Sequence, residues 1–385
     1  ADTGEDKMEK GSKREGKSAW EIAEFYTKAF QEVIYKLNIL HPHIWCKATE
    51  HILEQINMVQ KLLDTDYAYT TTDGIYFDTT KFPAYGEMAN LKNQKLEAGA
   101  RIEMGEKKNM HDFALWKFTP AGESRQMEWD AFGKKGFPGW HIECSAMALK
   151  YLGEYFDIHC GAIDHIPVHH TNEIAQSESF TGHSPWVNFW MHGEFLNIKS
   201  EGEVEKMAKS GENFLTLARI TEKGYEPLAY RFYLLGSHYR TPINFSHEAL
   251  DAATTAYNKL KSFVEKISEH EGTVNEKYKE WFVNAIEDDL NMPKALAVVW
   301  ELVKDDLVAP GDKYATLLDF DKVLGLSLSS ITKTEIPIEV EKLLVEREQA
   351  RKEKDFAKSD ELRNKILELG FEVLDNAEGY EVKKK

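Results

Sequence analysis

The sequence predicts an α/β chain that passes into an all-α section, and three observations carry that prediction. Between Trp140 and Ser179, helix-like and strand-like segments alternate, which is the pattern of a parallel α/β layer. Helical periodicity then runs almost unbroken over 248–331 and reads as a bundle. The 385 residues, 42% hydrophobic and 29% charged, are enough for two or three domains with a sizeable core.

The elements follow in order. Residues 19–40 read as a helix, with Trp20, Ile22, Ala23, Phe30 and Ile34 among its apolar positions, and 48–64 read as another. YAYTTTDGIYFDT (67–79) sets β-branched and aromatic residues on both sides of Asp73-Gly74, a hairpin signal. Residues 90–125 are mixed and loop-rich. GWHIECSAMALKYLG predicts a helix ended by Gly153, FDIHCGAID a short buried strand, and HHTNEIAQSESFTG a helix. After the bundle comes a linker with Pro337, then two short helices ending at Gly370, and FEVLDNAEGYEVKKK closes as a hairpin. No internal repeat or low-complexity tract is visible.

Composition excludes several classes. No apolar run is long enough to span a bilayer and no signal peptide is visible. Cys46, Cys144 and Cys160 are the three cysteines, an odd and sparse set that argues for a reducing cytosol over a disulfide framework. The net charge of −17 means that a nucleic-acid partner has to meet a local basic surface.

His169 and Glu173 stand at i and i+4 and share one helix face, from which both can reach a single ion. With Cys144 upstream they make a nitrogen, oxygen and sulfur donor set of the kind zinc accepts. A helix start with a surface His–Glu pair and a structural cysteine fits the same spacing, and spacing alone leaves both readings open. In KMAKSGENF (206–214), Lys206 and Lys209 make a cationic loop that can close on phosphates or stand as a solvated basic turn. His141 and His159 flank the region as pocket or core histidines, and Trp140 walls a pocket or simply packs. Arg347, Arg351 and Lys354 fall at i, i+4 and i+7, a basic stripe with acidic residues interleaved that also reads as a solvated helix face.

Taken together, ATEHI (48–52), DGIYFD (73–78), AGARIE (98–103), DFALWK (112–117), PGWHIECSAM (138–147), FDIH (156–159), HHTNEIAQSE (169–178), KMAKS (206–210), HYRTPINFS (238–246) and DDLNMPKAL (288–296) resemble cysteinyl-tRNA synthetase, a class I aminoacyl-tRNA synthetase. The resemblance runs nearly end to end in the family's order. It implies an α/β fold: a class I Rossmann-type catalytic domain, its first part missing, with an inserted domain, followed by an all-α anticodon-binding bundle and a small C-terminal module. The expected boundaries are 1–40 for the remainder of the N-terminal catalytic half, 41–130 for the insert and 131–195 for the second catalytic half. A connecting segment with a KMSKS-like loop takes 196–247, the bundle 248–331 and the C-terminal module 332–385.

The resemblance further implies Cys144, His169 and Glu173 as ligands of one zinc, Lys206 and Lys209 as the loop's catalytic lysines with Lys209 on ATP, and Trp140, His159 and Asp164 in the cysteine pocket. Magnesium accompanies ATP. The partners are ATP, L-cysteine and tRNA(Cys), the last touched by Arg347, Arg351 and Lys354, in the cytoplasm and away from membranes. The chain departs from the pattern in places. Ala208 replaces the loop's serine, Gly211-Glu212 replaces Leu-Gly, and HCGAIDHIPV (159–168) differs from the commoner HGGxDLxFP, with Cys160 for a glycine. The family's HIGH-type motif and fourth zinc ligand, a cysteine, are expected to lie in a missing N-terminal segment, which His41–His43 does not replace. Two alternatives remain: the cysteine ligase of mycothiol synthesis, and a non-catalytic fragment that binds tRNA or protein. The C-terminal bundle and tail favour tRNA.

Overall fold

The computed structural model describes residues 7–91, 105–200, 203–206, 215–331, 337–376 and 379–384. The chain divides into two compact units, Ala1–Leu250 and Asp251–Lys385.

The first unit begins with helices α1 (Lys7–Glu15) and α2 (Ala19–Lys36). Ser18 and Glu21 form a reciprocal capping box at the start of α2. The helix stops at Lys36, short of the expected residue 40, because Asn38 turns left-handed at φ 50°. Arg231 Nη1 then donates to the carbonyls of Leu37 and Asn38 at 2.8 and 3.0 Å. Helix α3 (Ile52–Asp64) starts later than expected, after a separate 3₁₀ turn at Ala48–Glu50.

Strands β1 (Ala68–Thr70) and β2 (Gly74–Phe77) form the expected hairpin, with Ala68 opposite Phe77. Next to β2 lies β3 (Phe113–Phe118), inside the stretch read as loop-rich. It is buried on both faces and so lacks the alternation that marks a half-exposed strand. With β4 (Trp129–Ala131) and β5 (Lys134–Pro138) it completes an antiparallel sheet of order β1-β2-β3-β5-β4. Met58, Val59 and Leu62 of α3 pack on Ile75, Phe77, Leu115 and Trp116 of this sheet and on Ile142 of α4 (Trp140–Leu152).

Gly139 seats α4 on the sheet. Its N–H donates to the Leu115 carbonyl at 2.9 Å, and a Cβ there would stand 1.9 Å from the Ala114 carbonyl oxygen. Gly153, at φ 90°, ends α4 as expected. Strands β6 (Phe156–Ala162) and β7 (Val187–Gly193) run parallel, joined through α5 (Thr171–Thr181), so the parallel βαβ unit is present. The expected burial of β6 is corrected: Phe156 is buried, whereas Asp157, Ile158 and Cys160 are exposed. Strand β8 (Leu196–Ser200) pairs antiparallel with β9 (Glu203–Lys206) and parallel with β10 (Ile243–Phe245). Helices α6 (Leu217–Glu222) and α7 (Pro227–Leu235) lie between them in sequence.

Helix α8 (His247–Ile267) leads into the second unit, followed by α9 (Glu276–Glu287), α10 (Met292–Lys304) and α11 (Pro310–Leu324). Phe282 stacks on Phe320 with ring centroids 4.1 Å apart. Two backbones touch where Gly272 crosses Gly311: a Cβ on Gly272 would meet the Gly311 carbonyl carbon at 2.1 Å, and one on Gly311 would meet the Glu271 oxygen at 1.9 Å. Pro337 opens α12 (Ile338–Lys352), while 332–336 of the expected linker lie outside the described residues. Helix α13 (Phe356–Glu368), Gly370 at φ 85° and the hairpin of β11 (Phe371–Asn376) with β12 (Gly379–Lys384) match the expected tail. Among the described residues, no helix is long and apolar enough to cross a membrane.

Candidate metal centre

The connection from β6 to α5 is where chemistry gathers. A π-helical turn, Ile166–His170, precedes α5, and it turns both His169 and His170 into the interior. Glu173, one turn later, is fully buried. Cys144 comes from the neighbouring α4, and its sulfur lies within 4.8 Å of a ring nitrogen of His169 and a carboxylate oxygen of Glu173, as these do of each other. The spacing reading of His169 and Glu173 therefore holds as geometry, and Cys144 does face them.

Glu173 is the hub. Its Oε2 lies 3.0 Å from His159 Nε2 in a hydrogen bond. Its Oε1 lies 3.0 Å from His169 Nε2 but has no aligned donor, and is a buried oxygen without a hydrogen bond. Burial, the largest influence, would raise the carboxyl, but the imidazoles of His159 and His169 outweigh it and hold the group at about 2. The Cys144 thiol is pushed up to about 12, by burial first and then by the nearby carboxylates of Glu173 and Glu143. His141 Nδ1 meets His169 Nδ1 at 2.9 Å, one donating and the other accepting, which turns His169 Nε2 towards Glu173. Burial and then His169 drive His141 down to about 3, so it is neutral near pH 7. Gln176 Nε2 donates to the His141 carbonyl and to Ser145 Oγ, both at 2.6 Å, and so ties α5 to the turn of α4 that carries Cys144.

These residues fit a zinc ion. A buried carboxylate oxygen that lacks a donor, a turned imidazole nitrogen and a thiol held neutral for want of a positive charge are what such a cation would satisfy. Tetrahedral bonds of about 2.0–2.3 Å place donor atoms roughly 3–4 Å apart, compatible with the observed limit of 4.8 Å. A second group, His159, His170 and Glu173, has the same limit. Hydrogen bonds occupy it: His159 to Glu173, and His170 Nδ1 to His192 Nε2 at 2.8 Å.

Of the other expected residues, Trp140 and His159 do reach this centre. The Trp140 ring, 47% exposed, has its centroid 4.6 Å from that of His169. Asp164 is exposed in the turn after β6. Lys206 is the last residue of β9, and Lys209 lies outside the described residues. The expected basic stripe is corrected. Arg347 is buried at 3% exposure, its Nη2 2.7 Å from Asp375 Oδ2, and Arg351 pairs with the same carboxylate. Lys354 lies beyond the end of α12, at φ 62°, off the helical repeat. Sequence reasoning named His141 only as a pocket or core histidine, gave His170 no role, and did not single out His192 or Gln176. One signal was there: His170 stands at i to i+3 from Glu173, as much in reach as His169.

The centre lies at the carboxyl ends of β6 and β7, where α/β sheets place their ligands. Residues 2–255 match the family described as tRNA synthetases class I (C) catalytic domain. Residues 333–382 match the cysteinyl-tRNA ligase anticodon binding domain. The fold is similar to that of Mycobacterium tuberculosis methionyl-tRNA synthetase in complex with methionyl-adenylate, with a TM-score of 0.52 and 13% identity over 83% of this chain and 79% of that one. Cysteine–tRNA ligase 1 of Burkholderia lata is 48% identical over 98% of this chain and 80% of its own length. The cysteine–tRNA ligase of Treponema denticola is 42% identical over 98% of this chain and 82% of its own length. The chain belongs to the cysteine–tRNA ligase family.

Proposed function

We propose that this chain is a cysteine–tRNA ligase, which activates L-cysteine with ATP and transfers it to tRNA(Cys), and that Cys144, His169 and Glu173 hold one zinc ion. The observation that carries the site is the convergence of those three donors on a buried carboxylate oxygen with no hydrogen bond. When bound there, zinc supplies a thiophilic Lewis acid, which separates a thiol from serine's hydroxyl by a strong polar bond that one pocket methylene could not match.

The chain's own residues do the rest. Trp140 and His159 wall the pocket and limit water, and Asp164 stands at its rim. The substrate carboxylate attacks the α-phosphate of ATP, forming the adenylate and releasing pyrophosphate, and then a tRNA hydroxyl takes the aminoacyl group. Lys206 and Lys209 offset charge on the departing phosphates, with magnesium accompanying ATP, so catalysis rests on positioning and electrostatics. Arg351 and Lys354 are the candidate cations for the tRNA backbone, with Arg347 holding the Asp375 carboxylate that Arg351 also meets. The working compartment is the cytoplasm, where the charged tRNA is used. The match of 333–382 to an anticodon-binding domain supports tRNA over an amino sugar as the acceptor.

The test is metal content and cysteine-dependent ATP–pyrophosphate exchange in the parent and in Cys144→Ala. The expected result is loss of zinc and at least a 100-fold fall in exchange, the scale of one lost electrostatic group. Unchanged zinc in the variant would remove the assignment.

A further inference from the structure

His165 is not among the residues of either candidate metal group. It stands in the turn after β6, next to Asp164. An aliphatic side chain would fill this place and need nothing. The imidazole brings two polar atoms, and its Nδ1 is buried without a hydrogen-bond partner. A buried polar atom in that state carries a desolvation cost, so a native structure that keeps one calls for an account.

The surroundings supply the account. The His165 ring centroid lies 4.9 Å from that of His169, 5.1 Å from His170 and 6.1 Å from Trp140. The Trp140 and His169 rings lie closer still to each other, at 4.6 Å, so His165 packs beside a proposed metal ligand and the indole that walls the cysteine pocket. Gly161 makes the room: a Cβ there would fall 2.6 Å from His165 Nδ1 and 2.4 Å from His170 Cε1. The ring thus occupies a space that a side chain at residue 161 would close.

We propose that His165 is a specificity-determining residue of the amino-acid pocket, whose Nδ1–H donates to the sulfur of the substrate cysteine and is left unsatisfied until that sulfur arrives. The inference rests on the zinc and cysteine reading of the neighbouring residues. Sulfur is the group to expect there, because the donors beside His165 are those that would hold a thiophilic ion, and an N–H bond to a sulfur bearing negative charge is of the stronger, charge-assisted kind. Serine could not use the same bond, since its hydroxyl is not drawn into the centre.

The test uses the full chain loaded with cobalt as a visible probe of the metal. Parent, His165→Leu and His165→Asn are titrated with L-cysteine and with 3-mercaptopropionate, which keeps the thiol and lacks the amine. His165→Leu should bind both thiols about tenfold more weakly, the loss of roughly one charge-assisted hydrogen bond. Its sulfur-to-metal charge-transfer band should move to lower energy, because the sulfur has lost a donor. His165→Asn, whose amide can reach the same point, should recover part of both. Metal content should be equal in all three. A loss for cysteine alone would assign the ring to the ammonium group and overturn the proposal, as would equal binding by the leucine variant, or loss of the metal in that variant. Failure of the parent itself to take up cobalt would instead refute the metal reading, and this inference with it.

Discussion

At the scale of single residues, Glu173 decides how the centre behaves. It sits fully buried among imidazoles, and the charge of its carboxylate is retained because His159 and His169 stand against it. Cys144 is the opposite case, a thiol kept neutral by the same burial, with its pKa at about 12. A zinc ion held by Cys144 would have to displace that proton, because thiolate is the form that ligates. One proton released per ion bound gives a definite sign: affinity falls about tenfold for each pH unit lowered below the thiol's pKa. A chelator competition series from pH 8 to pH 6 checks this, and a flat profile would mean that Cys144 is not a ligand. Cys144→Ser should both weaken binding and flatten the series. Spacing singled out His169 and Glu173, since i and i+4 on one helix is a local relation, and the family resemblance assigned roles to Cys144, Trp140, His159 and Asp164. His165 could not be found that way, and His141 could be named only as a pocket or core histidine. Their roles depend on which element packs beside them, and no spacing states that α4 and the β6–α5 turn face each other.

At the scale of elements, α4 and α5 must hold one register, because Cys144 is on the first and Glu173 on the second. The first is pinned by Gly139, whose missing side chain lets the helix start in contact with the β3 backbone. Gly139→Ala would drive a methyl group into the Ala114 carbonyl. The expected cost is about 2–3 kcal/mol, at the upper end for overpacking, since backbone yields less than a side-chain tip. Thermal unfolding measures it, and zinc affinity should fall in the same variant because the start of α4 shifts with its cysteine. A variant with the parent's melting temperature and zinc affinity would show that the contact relaxes freely. Elements with local punctuation were legible in the sequence: the end of α4 at Gly153, the Asp73-Gly74 turn and the tail hairpin. β3 was not, because a strand covered on both faces shows an apolar run without period, and α2 ran past its end because a left-handed asparagine was not recognised as a stop.

At the scale of the molecule, the tail of the chain illustrates how a basic pattern can mislead. The three cations of the expected stripe are in different situations: Arg347 is internal, Arg351 shares Asp375 with it, and Lys354 is past the helix end. The hydrogen bond from Arg347 holds the Asp375 carboxyl below its ordinary value. Asp375→Ala should destabilise this module by about 2 kcal/mol, as the Arg347 guanidinium loses its charged partner. The sign with pH follows. A depressed carboxyl contributes above its unfolded pKa of about 3.9 and fades as pH falls through the folded value, so parent and variant melts should converge on acidification. Weaker tRNA(Cys) binding with unchanged cysteine-dependent ATP–pyrophosphate exchange is the expected functional outcome, and a loss of exchange would show that the module serves the amino-acid step as well. The crossing of Gly272 and Gly311 has a consequence of another kind. Each glycine forbids a side chain on the other's account, since the obstacle to either is the opposite main chain. No single step through sequence space can leave this pair, and a second change at the partner does not open a way out, because it adds bulk where there was none. In a saturation library selected for folding alone, 272 and 311 should therefore be depleted together of everything but glycine, and a lineage of such chains would carry both as fixed points while the helices around them drift.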